Sequence, residues 1–341
     1  MQPVRCDPSG RTGPTRGQAR SKKWRRSSQG FYVPSEVDAT VPEQRILEMA
    51  AHLPADGAIT GWAACRWAGA GYFDGLAADS RTPLPVALAI GPDRDLRDRP
   101  GVRLSRDRLP ADDVVVRSGL RCTSVERAVF DEMRWASDLR EAVVAMDMVA
   151  AAELTSIQRL RRHLQGKQGW NGRPQVEQAL DLADERSMSP NETRMRLVWV
   201  LDAGLPPPLT NQPVFDHRGI LLGVADLLDP VAGVVGEYDG AAHRTARRHQ
   251  RDIGREDRFR RAGLEYFTVV GLDLADVGLV VDRMVAARRR AGFAAPGDRR
   301  WTLTAPPGWS DDPLDAMTLD QLLDHQDWLR SLDDSHELPA G

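Results

Sequence analysis

A chain of 341 residues with 41% hydrophobic and 28% charged side chains has room for two or three domains and the composition of a globular protein. No apolar run nears the roughly 18 residues that a membrane span needs. The basic N-terminus lacks the apolar stretch of a secretory signal, and Cys6, Cys65 and Cys122 are too few and scattered for a disulfide framework or a zinc knuckle. These features predict a reduced, cytoplasmic protein with no membrane partner.

The net charge of −3 conceals a strong segregation. Residues 1–30 hold eight basic side chains (Arg5, Arg11, Arg16, Arg20, Lys22, Lys23, Arg25, Arg26) against Asp7 alone, whereas residues 310–341 hold nine acids against Arg330. Both ends read as interaction arms or as solvated disorder. Of the 46 basic residues only Lys22, Lys23 and Lys167 are lysines, a skew that fits GC-rich coding better than a chemical demand for guanidinium.

In chain order, residues 1–35 predict a basic, mostly disordered arm. Its fragment KKWRRSSQGFYVP, Lys22 to Pro34, reads either as the last strand of a degenerate winged helix or as a linker into the first strand. Helical periodicity begins at Glu43 and returns over Ala58–Ala68. Pro85–Ile90, Gly101–Ser105 and Val114–Arg117 read as short strands. A helix follows CTSVERAVFDEM with Thr123 or Ser124 as its cap, then Asp138–Ala151 and Thr155–Leu164. Residues 36–165 therefore predict one mixed α/β domain, closed by the breaker-rich GKQGWNGRP, Gly166–Pro174, with linker and helix over 166–185. Beyond it come helices over Pro174–Glu185 and Ser189–Ala203, with Gly204 as the C′ residue. A hairpin, an Arg-rich helix (Arg244–Ala262), a strand (Glu265–Val270) and a helix (Ala275–Arg290) complete the second domain, residues 186–292. Residues 293–341 form an acidic Pro/Asp-rich tail with one short amphipathic helix, Leu319–Leu329.

The hairpin, LLGVADLLDPVAGVVGEYDGAAH from Leu221 to His243, carries the chemistry. Glu237 and Asp239 are two apart and share one face of a strand. Asp226 falls nearly opposite them if the turn is centred near Val231, within cross-strand reach of about 4.5–5.5 Å. Carboxylates that close resist ionising together, and a hard divalent cation such as Mg²⁺ or Mn²⁺ is their natural compensation. Asp226 and Glu237 lie inside apolar strands, where an unpaired carboxylate is costly; Asp239–Gly240 can equally be a simple turn. On the Arg-rich helix, Arg244, Arg248, Arg251, Arg255 and Arg258 recur every three or four residues and form one stripe. That stripe suits DNA phosphates, but with Asp252, Glu256 and Asp257 interspersed it also suits a solvated salt-bridged face. Ser189, Pro190 and Glu192 make an N-cap, N1 and N3 set, so Glu192 has a capping role whatever else it does.

SPNETRMRL, VADLL, GEYDGAAH and RDIGREDRFRRAGLEYFTV, spanning about residues 186–290, resemble the very-short-patch-repair-like branch of the PD-(D/E)XK nucleases. The resemblance implies an α/β (α+β) chain with a restriction-endonuclease-like mixed sheet flanked by helices, preceded by the smaller mixed α/β domain. It implies Asp226, Glu237 and Asp239 as metal ligands, Glu192 and His243 as further catalytic residues, and Mg²⁺ or Mn²⁺ as cofactor. His243 would serve as general base or stabilise the leaving group. Asp239 stands where the wider superfamily has lysine, and Ala225 where it has proline; both occur in this branch, and no lysine is then at hand to activate water.

GAITGWAACRWAG and CTSVERAVFD resemble the antitoxin-type region of AbiEi-like proteins, which implies a regulatory or interaction domain. Thr123, Arg127 and Asp131 read there as capping and bracing a helix rather than as a catalytic cluster. The leading expectation is an endonuclease hydrolysing DNA phosphodiester bonds in phage defence or DNA repair. The competing one is a non-catalytic DNA-binding regulator or antitoxin of an AbiEi-type toxin–antitoxin pair. DNA is the expected partner, a cognate toxin or other protein the second, and the oligomeric state is left open.

Overall fold

The computed structural model describes residues 1–94, 96–97, 99–167, 169–240 and 246–309, with backbone alone for 246–253. The chain is mixed α+β and divides into two units between Glu185 and Arg186. The breaker-rich segment 166–174 therefore lies inside the first unit. The reason is the helix that follows it, which buries Val176, Ala179 and Leu180 and whose Gln175 donates to the Met133 carbonyl at 2.7 Å.

The first unit opens with a hairpin, β1 (Trp24–Ser28) and β2 (Phe31–Pro34), turned at Gly30 with φ +84°. Composition predicts disorder over residues 1–30, but the segment is tied down. Val4 bridges Tyr32, and the Asp7 carboxylate accepts the backbone N–H groups of Ser9, Arg11 and Thr12. Phe31 and Val33 provide the burial that a polar stretch by itself lacks. After α1 (Pro42–Ala50) the run expected to be one helix from Ala58 starts as a strand, β3 (Ala58–Thr60), before α2 (Gly61–Trp67). All three residues of β3 are buried at the centre of a five-stranded sheet, a setting that overrides alanine's helix preference. Its other strands are β4 (Val86–Ala89), β5 (Val102–Ser105), β6 (Val114–Arg117) and β7 (Leu120–Thr123), in the order β5–β4–β3–β7–β6.

Four helices close this unit: α3 (Val125–Trp135), α4 (Leu139–Ala151), α5 (Ile157–His163) and α6 (Arg173–Leu182). Ser124, Asp138 and Ser156 cap the first three by accepting backbone N–H groups. The fully buried Asp131 on α3 accepts from Thr60 Oγ1 at 2.6 Å, Arg127 Nε at 3.0 Å and Arg134 Nε at 2.9 Å, which pins α3 to β3. Thr123 joins this network through Thr60 at 3.0 Å and is not the cap.

The second unit begins with α7 (Pro190–Leu197), which runs on through a π-helical turn, Val198–Asp202, and ends at Gly204 with φ +60°. Four strands follow the order β11–β10–β9–β8: β8 (Leu209–Phe215), β9 (Leu221–Asp229), β10 (Val234–Asp239) and β11 (Glu265–Val270). The β10–β11 pair is parallel and needs a crossover, which α8 (Ala246–Arg261) supplies. Met195, Trp199, Leu227, Val269 and Met284 belong to one core cluster, with α7 and α9 (Val277–Arg290). Leu222, Leu228, Val235, Phe259 and Tyr266 belong to a second, with α8. Residues expected to be a tail from 293 onward contribute to it: Trp301 is buried and Thr302 bridges Phe215 on β8. The Leu319–Leu329 helix and the acidic segment 310–341 lie outside the described residues. No helix among the described residues is long and apolar enough to cross a membrane.

Candidate active site

The β9–β10 turn fixes the geometry of the carboxylates. Asp229 Oδ1 accepts the N–H groups of Val231 (2.9 Å) and Ala232 (3.0 Å), and Gly233 takes φ +77°. The resulting register pairs Val234 with Asp229, Val235 with Leu228 and Gly236 with Leu227, so the next step sets Glu237 against Asp226. At that step the backbone ladder gives way: Asp226 Oδ2 accepts the Tyr238 N–H at 2.7 Å. On the other side, β8 pairs Thr210 with Leu227 and Gln212 with Ala225, which brackets Asn211 against Asp226.

Glu237 is buried and paired to Arg255 Nη2 of α8 at 2.7 Å. The Asp226 carboxyl is pushed well above the usual carboxylate range, first by burial and then by the charges of Glu237 and Glu192; Arg255 and the Tyr238 N–H pull the other way. Glu192 arrives from the first turn of α7. Its N–H donates to Ser189 Oγ (3.2 Å), and its Oε2 accepts from the Met188 N–H (2.9 Å) and Asn211 Nδ2 (2.8 Å). The capping box is thus present, reaching one residue further back than the cap itself. Although Glu192 keeps some solvent contact, the surrounding protein raises its pKa too. Capping and electrostatic coupling to Asp226 coexist in this side chain.

Asp239 ends β10 in register with Val270, on the same strand face as Glu237. His243 and Arg244 lie outside the described residues, and Arg248 and Arg251 fall on the part of α8 described by backbone alone. Arg255 and Arg258, expected on a DNA-facing stripe, are turned inward: Arg255 to Glu237, and Arg258 Nε to the Leu222 carbonyl at 2.9 Å. The cause is Phe259, wholly buried on the same side of α8 and directing it onto the sheet. Among the described side chains of the helix, Arg260 pairs with Glu256 and Arg261 with Asp257 along its outer side.

Among the described residues no three His, Cys, Asp or Glu side chains are grouped so as to hold a metal ion, and Arg255 supplies the compensating charge. The donor set is of the kind a hard divalent ion takes: carboxylate oxygens only, in a setting that raises the pKa of Asp226. Three neighbours were not legible from sequence. Asn211 sits on β8, a strand whose LTNQPVF lacks a clean alternation. Tyr238 alternates away from Glu237 and accepts from Asn191 Nδ2 at 2.7 Å, tying the start of α7 to β10. A polar residue just inside a capped helix was the one available signal for Asn191. Compared with known proteins, the chain matches no family model, no curated protein and no solved structure.

Proposed function

We propose that the second unit is a restriction-endonuclease-like domain that hydrolyses DNA phosphodiester bonds with the help of Mg²⁺ or Mn²⁺. One observation carries this reading: the β9–β10 register sets Glu237 against Asp226, and Glu237 and Glu192 (on α7) both raise the pKa of Asp226, in a setting where isolated carboxylates are costly. Asp226 and Glu237 would hold the ion, with Glu192 beside them and Asp239 at the strand end as a further ligand. When bound, the ion would polarise the phosphate and assist deprotonation of the attacking water. The residues of the chain orient and compensate: the Tyr238 N–H fixes the Asp226 carboxylate, and Arg255 neutralises Glu237. Arg255, paired with Glu237 at the edge of this site, would also be a cation at hand for the phosphate.

The same ion pair favours the second reading. A guanidinium already matched to Glu237 suits a domain that binds DNA without cutting it, as a regulator or antitoxin would. Purified protein with supercoiled DNA separates the two. Nicking that requires Mg²⁺ or Mn²⁺ and vanishes in Asp226→Ala, with unchanged thermal unfolding, supports the nuclease. Residual cleavage equal to wild type in Asp226→Ala identifies a contaminant, and DNA retention without cleavage selects the regulator.

A further inference from the structure

Asn211 is the one non-glycine residue of the four-stranded sheet with a positive φ, +44°, among the described residues. Left-handed backbone in the middle of a strand is costly for most side chains; asparagine tolerates it best after glycine. The conformation falls at the register step bracketed against Asp226, not at a turn or a strand end. Its amide is spent on two acceptors, the Arg186 carbonyl at 2.7 Å and Glu192 Oε2 at 2.8 Å. Glu192 Oε2 also takes the Met188 N–H, so both bonds land on one oxygen and Oε1 takes part in neither. One carboxylate oxygen is thereby anchored by two donors, one on β8 and one just before α7, which restricts rotation of the group.

We infer that Asn211 is a positioning residue for the metal site: its left-handed backbone aims an amide that clamps Glu192 Oε2, so that the Glu192 carboxylate would be held ready for an ion bound beside Asp226. The inference rests on the nuclease reading and adds to it a residue from β8, the strand on the far side of Asp226 from Glu237. Strained backbone concentrated at a functional group is a recognised arrangement, and partners that orient metal ligands typically contribute about 10- to 100-fold in metal affinity.

Glycine separates the backbone from the amide, because it adopts the left-handed conformation without strain. The test is Mn²⁺ titration of the full chain by calorimetry, on wild type, Asn211→Gly, Glu192→Gln and the double variant, with thermal unfolding of each. The expected result is a roughly tenfold or greater loss of Mn²⁺ affinity in Asn211→Gly, with its midpoint close to wild type, and a double variant no weaker than Glu192→Gln alone. Wild-type affinity in Asn211→Gly overturns the inference and leaves the metal site standing. Additive losses in the double variant overturn it as well, since Asn211 would then act independently of Glu192. A wild-type protein that binds no Mn²⁺ removes the site reading and this inference together. Asn211→Ala, which loses the amide and strains the backbone, is expected to lose affinity similarly but to melt at a lower temperature than Asn211→Gly.

Discussion

His52 sits between two cations in the first unit. Its Nδ1 accepts from Arg99 Nη1 at 2.6 Å, so Nε2 carries the proton and donates to Ser28 Oγ at 2.7 Å. Burial lowers its pKa, and the charges of Arg99 and Arg5 lower it further. A histidine held neutral when folded but free to protonate when unfolded contributes stability above its ordinary value near 6.5, which is lost as pH falls below that value toward the folded pKa. Urea unfolding should therefore show lower stability at pH 5.5 than at pH 7.5, and His52→Gln should flatten part of that slope. His163 shifts in the same direction, first through burial and then through Lys167, so the remaining slope includes its share. An unchanged slope in His52→Gln would mean that the imidazole is protonated in the folded state. At this scale the sequence was legible where chemistry is local. The paired Asp226 and Glu237 could be read from two alternating runs and a turn, because cross-strand register follows from the turn centre. Asn211 could not, since its φ is imposed by contacts that no local pattern encodes.

Gly236 illustrates the limits on β10 as an element. A Cβ there would lie 2.3 Å from Phe267 Cζ on the neighbouring β11, so the aromatic ring occupies the space a side chain would need. Gly236→Ala should cost about 1–3 kcal/mol through overpacking, measured as a lower urea midpoint. Because Gly236 adjoins Glu237, cleavage should fall more steeply than stability. Retention of both would show that Phe267 has room to move aside. The elements that patterning foretold best are those with strong caps or clean alternation: α4 behind Asp138, α7 behind Ser189, and β9 with β10. β7 and β8 were missed. β7 has four residues, and its Cys122 and Thr123 are buried as the entry to α3, which blends it into the helix signal. β8 carries Asn211, Gln212 and Pro213 in its centre, a sequence that reads as loop. Arg255 and Arg258 of the α8 stripe turn inward for a related reason: spacing groups residues on one face of a helix but does not say which way that face is turned, and beside these two Phe259 decides it.

For the whole molecule, the division between Glu185 and Arg186 follows packing rather than composition. Glycine and proline mark where the backbone turns, while a boundary falls where buried side chains stop being shared. The same distinction explains why the segment after residue 293 was read as tail: its prolines and aspartates hide one tryptophan that fills a core position, Trp301, 4% exposed. A chain ending at residue 292 should lose stability on the order of 3–5 kcal/mol, the range for truncating a buried aromatic side chain, with the loss confined to the second unit's unfolding transition. Equal midpoints for the shortened and full chains would mean that Trp301 contributes nothing net.

The bridge beside that tryptophan has a colloidal consequence. β8 is the outer strand of its sheet, and an outer strand offers unsatisfied amides to any similar strand it meets. Two devices blunt this one. Pro213 withholds a donor near its middle, and Phe215 exchanges both of its backbone hydrogen bonds with Thr302, at 3.0 and 2.8 Å. Removing the 299–303 segment therefore uncovers a sticky margin as well as a core position. The shortened chain should self-associate in a concentration-dependent way seen by light scattering, whereas Trp301→Ala, which keeps Thr302 in the chain, should be destabilised yet remain dispersed.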